Sequence, residues 1–96
     1  MFDTKDGVGL TLYVMPKSNR SYLEFKEGEI LFHSSASCKN HGVNRDLLKW
    51  LSRNIGSKPV IIKGWSDRRK ILSFNGIGKE KLITSLVKVL KRAGKQ

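Results

Sequence analysis

The chain has 96 residues, 39% of them hydrophobic and 28% charged, which is enough for one two-layer core and too little for a cleft between two domains. Nineteen Lys and Arg stand against eight Asp and Glu, a net charge of +11, and a field of that sign and size attracts polyanions such as nucleic acid. A single cysteine, Cys38, excludes an internal disulfide and a cysteine-built zinc site, and no apolar run is long enough to cross a bilayer.

The amino-terminal MFDTKDG has neither the basic nor the apolar region of a signal peptide. The expectation is therefore a cytoplasmic, monomeric protein in which residues 1–96 form one domain that uses no metal or other cofactor. Residues 1–29 hold four basic side chains (Lys5, Lys17, Arg20, Lys26) and five acidic ones (Asp3, Asp6, Glu24, Glu27, Glu29), a sum of −1. The other 67 residues carry fifteen basic and three acidic side chains, a sum of +12. Solubility or a thermophile's surface would be served by scattered lysines. A concentrated excess favours a binding face.

In chain order, Leu10, Leu12 and Val14 alternate with Thr11, Tyr13 and Met15, the period of a half-buried strand that Pro16 then ends. SYLEFK and EILFHSS alternate in the same way around Gly28 and predict a hairpin. ASCKNHG, residues 36–42, has no period and predicts a loop. From Val43 the spacing becomes helical: Val43, Leu47, Leu51 and Ile55 form one face, and Arg45, Lys49 and Arg53 form the opposite one. Asn44 is the expected amino-terminal cap, Gly56 the stop, and Trp50 sits at the edge of the apolar arc.

PVIIKG, rich in β-branched residues, predicts a buried strand. Gly64, Trp65, Ser66 and Asp67 then turn the chain into a second strand, in which Leu72 and Phe74 alternate with Ile71, Ser73 and Asn75. From Lys79 to about Ala93, with Gly94 as the stop, Leu82, Ile83, Leu86, Val87, Val89 and Leu90 share one arc of a final helix. These elements make a two-layer α+β sandwich, a mixed sheet of about four strands with two helices on one face.

The loop and helix ASCKNHGVNRDLLKWLSRNIG, the strand PVIIKG and the turn and strand GWSDRRKILSFNG together resemble the YggU-like family of small single-domain proteins. The match runs from Leu10 to Gly76 and includes VMPKS, whose Pro16 corresponds to the proline segment ending the family's strand. In the family's G-x-T/S-x-R-x-K signature, Gly64, Ser66, Arg68 and Lys70 all fall in place. In its A-P-P-x-D/E-G-K-A-N loop, Ala36 and Asn44 fit, whereas Ser37 and Cys38 replace the prolines and His41 and Gly42 replace Gly-Lys. The resemblance implies a β-β-α-β-β-α order and no established catalytic activity.

The residues themselves leave several chemistries open. Arg68 and Lys70 on a short turn, with the Ser66 hydroxyl and turn amides, suit a phosphate, or else line an exposed strand face and pair with Asp67 or Glu80. Trp65 suits stacking on an unpaired base, or packing over the sheet edge. Cys38 and His41, with Asn40 or Asn44 as orienter, make a poor nucleophile pair, and His33 and the scattered carboxylates Asp46, Asp67 and Glu80 offer no convergent acid and base. GIGKEK lacks the spacing of a phosphate loop and more simply turns the chain.

The leading expectation is a non-enzymatic basic module binding nucleic acid, RNA or a ribonucleoprotein in preference to duplex DNA, since no recognition-helix motif is evident. Its contacts would be Arg45, Lys49, Arg53, Trp65, Ser66, Arg68, Arg69 and Lys70, extended by Lys88, Lys91 and Arg92. A binder of, or enzyme acting on, a phosphorylated ligand at the Gly64–Lys70 turn is the alternative, and an adaptor for an acidic protein is a third.

Overall fold

The computed structural model describes residues 1–37 and 39–93, the side chains of 91–93 excepted. Cys38, Gly94 and the side chains of Lys91 and Arg92 therefore lie outside the described residues. In chain order the elements are β1 (Phe2–Asp3), β2 (Gly7–Met15), β3 (Tyr22–Lys26), β4 (Glu29–His33), α1 (Gly42–Ile55), β5 (Val60–Lys63), β6 (Arg69–Asn75) and α2 (Lys79–Ala93), with a 3₁₀ turn at Lys39–His41 before α1. The fold is α+β with a mixed sheet of six strands, not four, in the order β3-β4-β2-β6-β5, and β1 pairs with β2 off that path. The expected β-β-α-β-β-α order thus becomes four strands before the first helix.

Two strand pieces account for the difference. The hairpin is real: β3 and β4 pair antiparallel from Tyr22↔His33 to Lys26↔Glu29. Its two-residue turn places Glu27 and Gly28 at φ 52 and 79, positive values whose twist matches that of the strands. The short β1 pairs Phe2 with Gly9 and Asp3 with Val8. Because β6 occupies one whole edge of β2, β1 and β4 divide the other between them. The parallel pair is β2 with β4, Tyr13↔Leu31 to Met15↔His33.

Alternation along β2 sends Val8, Leu10, Leu12 and Val14 to one face, where all four are buried. They meet Leu23, Phe32, Leu72 and Phe74 from neighbouring strands, Val43, Leu47, Leu51 and Ile55 from α1, and Leu82, Leu86 and Val89 from α2 in one core. Each fully buried leucine or phenylalanine stabilises this core by about 1.5–3 kcal/mol. The α1 stripe was legible to the residue, as was the stop: Gly56 has φ 85 and its N–H donates to the Ser52 carbonyl. No described helix is long and apolar enough to cross a membrane.

Two apolar segments are less buried than their composition suggests. β5 is an edge strand, so Val60 and Ile62 are 52% and 53% exposed. Only Ile61, opposite Leu72, packs against the core, while Val60 and Ile62 alternate onto the other face; a register irregularity lies between Ile61 and Lys63. On α2, Ile83 and Val87 are each 45% exposed. The arc read from the sequence is wider than the line Leu82, Leu86 and Val89 that the sheet covers.

Candidate functional site

The turn between β5 and β6 is held from inside. Lys70 lies opposite Leu12 on β6 and shares the inward face with Leu72 and Phe74, which leaves it 3% exposed. Its ammonium donates to the Gly64 and Trp65 carbonyls, at 2.9 Å each. Asn44 is the third residue of α1 rather than its cap; it is 3% exposed, and Nδ2 donates to the same Trp65 carbonyl at 2.8 Å. The residue preceding α1 is His41, at φ 57 and without a side-chain cap bond. Lys70 therefore does not line an exposed strand face, and Asn44 does not cap a helix. Both tie the turn to the start of α1.

Gly64 completes this clamp. Its φ is 83, and a Cβ built on it would stand 2.1 Å from the Arg69 carbonyl oxygen, so no side chain fits without moving the turn. Gly64→Ala is expected to cost more than about 2 kcal/mol, from the left-handed backbone and the clash together. Gly56, at φ 85 with open space around it, isolates the backbone component, and Gly56→Ala is expected to cost about 1 kcal/mol. Urea midpoints at constant m-value compare the two; equal losses would show that the Gly64 turn shifts freely.

Outside the clamp, the residues of the turn face solvent. Trp65 is 47% exposed and, instead of packing over the sheet edge, has His41 beside it, ring centroids 5.4 Å apart and tilted by 48°. These two rings, Ser66, Asp67 and Arg68 stand around a cavity of about 230 Å³ whose floor includes Asn44 and Lys70. Arg68 also borders a second, open concavity of about 460 Å³ with Met15, Lys17, Ser37 and Lys39, and Pro16 is common to both. The Arg68 backbone is fixed because its carbonyl accepts the Val14 N–H at 2.9 Å. Arg69, one residue further, falls on the opposite, helix-free face of the sheet.

The cationic stripe of α1 forms a separate surface. Arg45, Lys49, Arg53 and Lys58, with Leu48 and Ser52, line a groove of about 480 Å³. It shares no lining residue with the two Arg68 concavities, so helix and turn do not make one continuous basic cavity. No carboxylate lines this groove. Asp46, the acidic residue of α1, does not stand alone: it accepts the Ser21 and Ser34 hydroxyls at 2.5 and 2.6 Å. Among the described residues, Arg45, Lys49, Arg53 and Arg68 form no ion pair.

The other polar candidates are engaged structurally. His33 Nε2 lies 2.9 Å from Glu24 Oε1, and its ring stacks on Tyr22 at 4.4 Å. Trp50 meets Phe32 edge-on at 5.7 Å, as expected at a core edge. Of the suggested Cys38–His41 pair, Cys38 lies outside the described residues, and Asn44, one of the suggested orienters, is committed to the Trp65 carbonyl. Lys58, Lys17 and Lys39 were not singled out by pattern, because each lies in a connection whose course periodicity does not reveal. Compared with protein-family models, the chain matches none.

Proposed function

We propose that this protein is a basic nucleic-acid-binding module whose α1 groove tracks a phosphate backbone, RNA or a ribonucleoprotein being preferred. The observation that carries this reading is the groove itself, four cations and no carboxylate around one concavity. Helix stability does not account for it. Arg45–Lys49 and Lys49–Arg53 are like-charge pairs four residues apart, each unfavourable by about 0.2–0.5 kcal/mol. A bound polyanion reverses that sign.

Successive cations on the stripe rise by about 6 Å along the helix axis. Phosphate contacts of this kind position a strand without reading its sequence, and the absence of a recognition-helix motif in the sequence favours RNA over duplex DNA. The YggU-like resemblance is part of the same proposal. In it, Gly64 and Lys70 are framework, and Ser66 and Arg68 are the signature groups that face a ligand.

A salt titration tests the reading. Four phosphate contacts to a single strand give a slope of about −3 in log K against log salt, or about 50-fold weaker binding at 200 mM than at 50 mM. A slope near zero, or no binding to single-stranded RNA at low salt, rejects it.

A further inference from the structure

We propose that the Trp65 cavity holds one unpaired nucleotide, its base against the indole and its phosphate on Arg68, so that the protein selects single strands over duplex. This rests on the nucleic-acid reading above but concerns a different surface from the α1 groove. An exposed tryptophan ordinarily loses side-chain freedom when a ligand lands on it. Here Asn44 and Lys70 already hold the Trp65 carbonyl, and His41 stands beside the ring. The aromatic surface is presented on a fixed backbone, with about half its area in solvent.

The charges orient the nucleotide. Asp67 borders the cavity that contains Trp65, and a carboxylate there repels phosphate but accepts hydrogen bonds from an exocyclic amino group, as carboxylates do from cytosine. On the far side of Arg68 the concavity is lined by Lys17 and Lys39 with no carboxylate. The base therefore belongs on the Trp65 side and the phosphates on the Lys17 side, with Arg68 between them in reach of both. A paired base, stacked within a helix, cannot enter a cavity of about 230 Å³, and base–aromatic stacking is tolerant of base identity.

The test compares a ten-nucleotide single-stranded RNA with a blunt-ended, fully paired RNA duplex at equal phosphate concentration, for the parent protein, Trp65→Ala and Trp65→Phe. Trp65→Ala is expected to weaken single-strand binding about 5- to 150-fold and to leave duplex binding unchanged, while Trp65→Phe keeps most of the affinity. In a Trp50→Phe background, indole fluorescence should be quenched by the single strand and not by the duplex. Single-stranded DNA should show the same Trp65 dependence, since stacking reads the base and not the sugar; dependence confined to RNA overturns stacking. If both RNAs bind and Trp65→Ala affects neither or both equally, the nucleotide site is wrong and the backbone groove stands. If neither RNA binds at low salt, both proposals fall.

Discussion

Arg45→Glu, Lys49→Glu and Arg53→Glu, introduced together, are expected to weaken RNA binding by at least about 100-fold at 0.1 M salt. Each phosphate contact to a single strand contributes about 0.7 to the salt slope, so three removed contacts forfeit about two powers of ten for each decade below 1 M. The new carboxylates add repulsion. The slope itself should become shallower by about 2, a readout that does not depend on absolute affinity. All three side chains are exposed and, among the described residues, form no ion pair, so the stability measured by urea unfolding should change by less than about 0.5 kcal/mol. Unchanged RNA affinity in a folded triple variant would remove α1 from the interface and leave the Arg68 surface as the polyanion contact.

Lys70→Met is expected to destabilise the protein by about 2–4 kcal/mol. Methionine keeps the length and apolar stem of lysine, so the change isolates the ammonium. Its loss removes charge-assisted hydrogen bonds to the Gly64 and Trp65 carbonyls, each worth about 1.5–3 kcal/mol, and the relief from burying a charge offsets part of that. The Trp65 fluorescence should also report a looser turn. The opposite result is equally informative: a Lys70→Met protein at least as stable as its parent would mean that the ammonium is kept at a cost to stability, as groups retained for a ligand are.

These two variants separate what the basic residues do. Gly64, Ser66, Arg68 and Lys70 follow one another closely along the chain, yet they divide between an interior clamp and an exposed surface. Part of that division was legible beforehand. Lys70 has the same parity as Leu72 and Phe74, and the period-two rule that buries those residues also turns Lys70 inward. Charge alone would place Lys70 in solvent, but the strand period decides its face. Asn44 misled for a related reason. A good capping residue beside an apolar stripe looks like a helix start, but α1 begins at Gly42 and a distant carbonyl claims the amide.

The grooves themselves were not legible. Lys58 joins the α1 stripe only because the chain turns after Gly56, and Lys17 and Lys39 come beside Arg68 only because β2, the loop before α1 and the turn before β6 meet there. Sequence spacing carries no information about such meetings beyond one element's length. The separation of the two basic surfaces has the same origin, since it depends on where the β5–β6 turn docks against α1.

What the sequence by itself determined is what short periods encode: the apolar face of α1, the strand alternation of β2 and β6, the β3–β4 hairpin, the Gly56 stop and a charge excess outside the first 29 residues. Neighbouring side chains suffice for these, because hydrophobic period and turn chemistry act over a few residues. Only the tertiary structure decided that β4 lies parallel to β2, that β5 is an edge, that Ile83 and Val87 remain half in solvent, and that Lys70 and Asn44 support Trp65 from within. Those outcomes depend on which elements cover one another, and that choice is made by the whole buried surface at once rather than by any local stretch.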